Sequence, residues 1–204
     1  MKNIKRILLV AVLMAVVMVL VFSVSLVSAA PRESIWQLTD GFDSNLGVWS
    51  CWASVPGPFN TCQSMPGGPM LLPPDNVTMT NAWRIAAISG WSDVGRPVSL
   101  SPFLPGRTLS CVAQMRVYPI WTELTGSDFK FRLEVIDAPT WTYVSTKEVR
   151  YTAATRPHSI VSVTTPTWIP SHKDVFVRIG IIGAGISNQI DELWVDRLIV
   201  QCGY

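Results

Sequence analysis

The chain has 204 residues, with 16 Lys and Arg against 14 Asp and Glu, and nine tryptophans. Three of the cations fall in the first 30 residues, which carry no acid, so the other 174 hold 13 basic against 14 acidic side chains and a net charge of −1. No basic tract survives there, which argues against nucleic acid as a partner, and 174 residues suffice for one domain with a full core.

The chain opens on Lys2, Lys5 and Arg6, and residues 7–22 are wholly apolar. Val27-Ser28-Ala29 offers the small side chains that a signal peptidase reads, so residues 1–30 read as a secretory signal cut after Ala29. The apolar run is also long enough to span a bilayer, so an uncleaved anchor through residues 7–29 is the alternative. Either way residues 31–204 form the domain and lie outside the cytoplasm, secreted or at the cell surface.

All four cysteines are in that exported part: Cys51, Cys62, Cys111 and Cys202. An even count in such a compartment favours disulfides. The pairing Cys51–Cys62 with Cys111–Cys202 is favoured, because the first two share one loop rich in proline and glycine.

Strand-like runs follow one another, separated by Pro, Gly, Ser and Thr. Cys111, Ala113, Met115 and Val117 share one face, with Gln114 and Arg116 on the other. Phe129–Val135 alternates more cleanly, and Val175, Val177, Ile179 and Ile181 repeat the pattern, as do Leu198, Val200 and Cys202. Period-two alternation marks strands with one buried and one wet face. Further strands are expected near residues 34–40, 82–89, 143–151 and 159–164. About eight short strands at such spacing predict a β-sandwich or barrel. Residues 50–79 read as a surface excursion pinned by Cys51–Cys62, where the prolines of 56–74 exclude a central strand.

VFVRIGIIGAGISN, residues 175–188, imitates the opening of a dinucleotide site. Asn188 stands where the third small residue belongs, no helix or second βαβ unit can follow, and the acidic ribose ligand would fall where the sequence ends. No nucleotide cofactor is expected, and Gly183-Ala184-Gly185 reads as a turn between strands.

The ends of the domain resemble a known family. TDGFDSNLGVWS at 39–50 is similar to the opening of secreted carbohydrate-binding modules with a galactose-binding-like jelly roll. TPTWIPSHKDVFVRIGIIGAG at 165–185 and IDELWVDRLIVQC at 190–202 resemble their closing strands. Asp196-Arg197 departs from the paired acidic or amide residues common there, and the disulfide-containing first loop is longer. The resemblance implies an all-β jelly-roll sandwich that binds a glycan or polysaccharide. It also implies a structural calcium where the first and last strands meet, with Asp40, Asp43 and Asp196 as candidate ligands; turn capping by Asp40 and Asp43 is the alternative.

The tryptophans divide by setting. Trp49, Trp83, Trp168 and Trp194, and also Trp36, sit in or beside strand-like runs and are expected in the core. Trp52, Trp91, Trp121 and Trp141 sit beside turn residues, and a flat indole covers the apolar face of a sugar well. These four are the candidate carbohydrate-binding residues. Arg84, Asp93, Arg96, Gln114, Arg116 and Glu123 are candidate polar partners. Asn76-Val77-Thr78 fits a glycosylation sequon. No hydrolase motif is present, and His158 and His172 read as solvated loop residues. The expected function is non-catalytic glycan binding; the alternative is a structural or adhesive cell-envelope protein that binds another protein.

Overall fold

A computed structural model describes residues 36–42, 48–54, 61–65, 69–121, 128–184 and 190–204. The chain divides into Met1–Glu33 and Ser34–Tyr204. The signal or anchor expected over residues 1–30 lies outside the described residues, as do Asp43, Glu123 and the Trp121 side chain.

Among the described residues the strands are β1 (Trp36–Asp40), β2 (Ser50–Ala53), β3 (Thr61–Met65), β4 (Met70–Leu72), β5 (Val77–Met79), β6 (Ala82–Ala87) and β7 (Ser89–Ser99), followed by β8 (Ser110–Trp121), β9 (Phe129–Asp137), β10 (Thr142–Tyr151), β11 (Val161–Thr164), β12 (Asp174–Ala184) and β13 (Asp191–Gly203). One sheet has the order β11-β8-β13-β6-β3, and β1 joins it by pairing with β13 beyond the end of β6. The other has the order β10-β9-β12-β7-β2. Every pairing is antiparallel, and the chain passes from sheet to sheet between β6, β7, β8 and β9 and again between β11, β12 and β13. This is an all-β sandwich of jelly-roll type.

The alternating residues build the core. Cys111, Ala113, Met115 and Val117 of β8 are buried with Phe129, Phe131, Leu133 and Val135 of β9, and with Val175, Val177, Ile179 and Ile181 of β12. The register of β13 shifts between Val195 and Arg197. This bulge changes which parity faces inward: Leu193 and Val195 before it, then Leu198, Val200 and Cys202 after it. Trp49, Trp83 and Trp168 join this core. Trp194 is buried in a smaller cluster with Leu72, Met79, Ala82 and Tyr118.

Both disulfides pair as expected. Cys111 and Cys202 face each other across β8 and β13. Cys51 lies on β2 and Cys62 on β3, each the last strand of its sheet, so this bridge staples the two sheets at one edge.

Residues 50–79 differ from expectation. They contain two edge strands and the β4–β5 hairpin instead of a strandless excursion. Edge pairing tolerates the neighbouring prolines because one side of each strand needs no partner. Gly183 also departs: it continues β12 opposite Gly90, and an added Cβ would lie 2.5 Å from the carbonyl carbon of Ile88. The glycine permits a close backbone approach at the crossing from β6 to β7 instead of making a turn.

Candidate functional site

The two outer faces of the sandwich differ. On the six-stranded sheet the β4–β5 hairpin packs over Tyr118 and Trp194. Asp75, in its turn, fastens it down: it accepts from the Tyr118 hydroxyl at 2.7 Å and from Arg156 Nη2 at 2.6 Å, and lies 2.8 Å from His158 Nδ1. Burial and this carboxylate push the Tyr118 hydroxyl up to about 12. The five-stranded sheet instead carries a groove of about 490 Å3 on its outer face, lined by Trp52, Ser54, Trp91, Arg132, Tyr143 and Arg178.

Strand register assembles that groove. Trp52 on β2 lies opposite Asp93 on β7, Asp93 opposite Gly180 on β12, Gly180 opposite Arg132 on β9, and Arg132 opposite Glu148 on β10. In the next row stand Gly95, Arg178 and Glu134. The Trp91 indole lies over Gly180, where an added Cβ would come within 2.3 Å of its Cζ2. Arg132 and Arg178 stand 5.0 Å and 5.7 Å from its ring centre. The Trp91 indole N–H donates to Asp93 Oδ2. Its backbone N–H donates to Ser54 Oγ at 2.8 Å, and its carbonyl accepts from the Ser54 N–H at 2.8 Å. The end of β2, and with it the 55%-exposed Trp52, is thereby held beside Trp91.

Arg178 organises the floor. Its Nε donates to Glu134 Oε2 at 2.7 Å, its Nη1 to Asp93 Oδ2 at 3.3 Å, and its Nη2 to the Tyr143 hydroxyl at 2.9 Å. Both carboxylates are buried. Burial pushes Asp93 above the ordinary carboxylate value, the Trp91 N–H and the Arg178 charge pull against it, and the nearby Glu134 adds to the rise. Burial pulls Arg178 down, but its bond to Glu134 and the charges of Glu134 and Asp93 outweigh that and hold it above the usual arginine value. Arg132 Nη1 lies 3.5 Å from Glu134 Oε1; its Nε is buried without a hydrogen-bond partner. The groove thus combines flat rings with fixed donors, an arrangement suited to a ligand with apolar faces and hydroxyl edges.

Trp52 and Trp91 both line this groove, on strands instead of the turns expected. Trp141 does occupy a turn, 66% exposed, with its ring 6.0 Å from Phe176. Of the candidate polar partners among the described residues, only Asp93 belongs to the floor. Arg84 forms a two-pronged pair with Glu192, Gln114 bonds Thr164, and Arg116 pairs with Asp196, all in the six-stranded sheet. Arg96 pairs with Asp40.

Of the three candidate calcium ligands, Asp40 and Asp196 are described, and each carries a protein partner. Asp40 Oδ1 accepts from the Phe42 N–H, and its Oδ2 from the Trp49 indole and from Arg96, so it caps a turn and neutralises a cation. Asp196 lies 3.3 Å from Arg116. Among the described residues no three acidic, histidine or cysteine side chains gather as a metal site. The histidines are exposed, but each rests Nδ1 on an aspartate: His158 on Asp75 and His172 on Asp137.

Tyr143, Arg132, Arg178 and Ser54 are groove residues that sequence reasoning missed. The alternation in β9 and β12 puts Arg132, Glu134 and Arg178 on the wet faces, but nothing in the pattern says that these strands are neighbours.

No protein-family model matches the chain, and no curated protein sequence matches it. Solved structures similar to it include the xylan-binding module CBM15, 13% identical over 81% of this chain and 95% of that one, with a TM-score of 0.46. The C-terminal family 22 carbohydrate binding module of Clostridium thermocellum Xyn10B is 17% identical over 84% and 96%, with a TM-score of 0.43. The CBM22-1 xylan-binding domain of Paenibacillus barcinonensis Xyn10C is 7% identical over 81% and 92%, with a TM-score of 0.45. At such identities and scores, the reading of this chain rests on its own residues.

Proposed function

We propose that this chain binds a glycan outside the cytoplasm, without catalysis, in the groove of the β10-β9-β12-β7-β2 sheet. The observation that carries the reading is the pair Trp91 and Trp52: one indole lies along the sheet over Gly180, and the other stands exposed beside it. Tyr143 adds a third ring, 59% exposed. The carboxylates of the floor are held by Arg178 instead of standing free as an acid and base, which supports a non-catalytic role. Two disulfides support an exported protein.

The test is affinity electrophoresis of the full chain through gels containing soluble polysaccharides, xylan among them because the similar structures are named for it. Retardation by at least one polysaccharide, abolished in Trp91→Ala and weakened in Trp52→Ala, is the expected result. Unretarded migration of the folded chain in every gel would overturn the reading.

A further inference from the structure

The outer face of the five-stranded sheet carries a second aromatic platform beyond the groove. Along β12, Phe176, Arg178, Gly180 and Ile182 alternate outward. Phe176 and Trp91 occupy equivalent places: the Phe176 ring lies over Gly95 of β7, where an added Cβ would meet its Cε1 at 2.6 Å, as Trp91 lies over Gly180 of β12. Each strand supplies a ring that uses a glycine of the other, with Arg178 between them. The Trp141 ring stands 6.0 Å from that of Phe176 and stays 66% exposed. Its backbone is left-handed, with φ of 55°, and its N–H donates to the Asp137 carbonyl at 2.8 Å, so the turn from β9 to β10 presents a large ring at this face.

We propose that Trp141, seated on Phe176, is a second sugar-stacking subsite, and that one linear glycan occupies both the groove and this shelf. The inference rests on the glycan reading above. Its occupant follows from continuity. From Phe176 to Ile182 is six residues of strand, about 20 Å, and Tyr143 and Arg178 lie between the two platforms with polar groups at their tips. Rings separated by an arginine and a phenol match a polymer that alternates apolar C–H faces with hydroxyl edges. A protein partner that buries apolar side chains would meet Arg178, Arg132 and Glu148 in the middle of its footprint.

The experiment is calorimetric titration of the full chain with xylo-, cello- and manno-oligosaccharides of two to six units, for the wild type, Trp141→Ala and Trp141→Phe. Affinity of the wild type should climb with length until the chain reaches the shelf. Trp141→Ala should bind the shortest ligands as the wild type does and lose about tenfold on the longest, the order expected of one aromatic platform. Trp141→Phe should recover most of that loss. Equal affinities of wild type and Trp141→Ala for the longest ligand overturn the shelf while leaving the groove intact. So does a dimer seen by sedimentation that Trp141→Ala dissolves, since the ring would then serve a second copy of the chain. Failure of Trp91→Ala to weaken any oligosaccharide that the wild type binds removes the groove as the binding site, and a folded wild type that binds none of them removes the glycan reading itself.

Discussion

Trp91 lies across Gly180 on the neighbouring strand, and the two residues define the floor of the groove together. A methyl group at residue 180 would stand 2.3 Å from Trp91 Cζ2 and 2.8 Å from Asp93 Cβ. Gly180→Ala should therefore tilt the indole away from the sheet, weaken glycan binding about tenfold, and cost about 1–3 kcal/mol of stability as overpacking does. In a Trp91→Ala background the same substitution should cost less, because the closer clash is gone and only the approach to Asp93 Cβ remains. Urea unfolding of the four proteins of this cycle measures the coupling.

Arg178 holds two buried carboxylates, and the floor cannot lose it cheaply. Arg178→Met should destabilise the fold by about 3–5 kcal/mol, because Glu134 and Asp93 stay buried without their shared cation. Adding Glu134→Gln should restore a large part of that loss. If Arg178→Met alone unfolds at the wild-type urea midpoint, the pairing carries no weight in the fold.

The disulfides separate stability from function. On the loop-entropy account, removing Cys51–Cys62 should cost about 3 kcal/mol and removing Cys111–Cys202 about 4.5 kcal/mol. Binding should follow the opposite order. Cys51 sits next to Trp52 on an edge strand, so loss of its bridge frees the strand that carries the exposed ring. Cys111–Cys202 joins two strands of the opposite sheet. Double serine variants, compared for melting temperature and for affinity at a temperature where both are folded, test the crossing of the two orders.

Acid should loosen the fold through particular carboxylates. Asp75 is held below 3.8, first by the hydrogen bond from Tyr118 and then by that from His158. Burial raises Asp137, but hydrogen bonds from Thr140 and His172 outweigh it and leave it low. A carboxylate depressed in the folded state contributes stability above its unfolded value and loses it as pH falls through the folded one. Asp93 has the opposite sign: it is raised, chiefly by burial, so its protonation favours the folded state as pH falls. Melting temperature should thus drop below about pH 4. Asp75→Asn should flatten that limb, and Asp93→Asn should steepen it. A limb with the same slope in both variants would contradict these assignments.

The parts of the fold that the sequence makes legible are those where alternation runs unbroken, as in Phe129–Val135 and Val175–Ile181. β7 is hidden because Gly90, Asp93, Gly95 and Pro97 look like a loop. Two of these are the residues that build the face: Gly95 lies under Phe176, and Asp93 accepts from Trp91. The first half of β13 is hidden because the bulge at Asp196 reverses the inward parity between Val195 and Leu198. The four exposed-tryptophan candidates include two groove rings, Trp52 and Trp91, found from their Pro, Gly and Ser surroundings. Tyr143 and Arg178 could not be found that way. They meet only because β10, β9 and β12 are successive strands of one sheet, and strand order is a tertiary property that spacing in the sequence does not carry.

The central claim is that the groove indoles contact a glycan. Tryptophan emission of the full chain, titrated with each soluble polysaccharide in parallel with Trp91→Leu and Trp52→Leu, tests it most directly. A saturable shift with at least one polysaccharide, lost in Trp91→Leu and reduced in Trp52→Leu, is the expected result. A flat response from a folded wild type across the whole panel, or a shift that both variants retain in full, would contradict it.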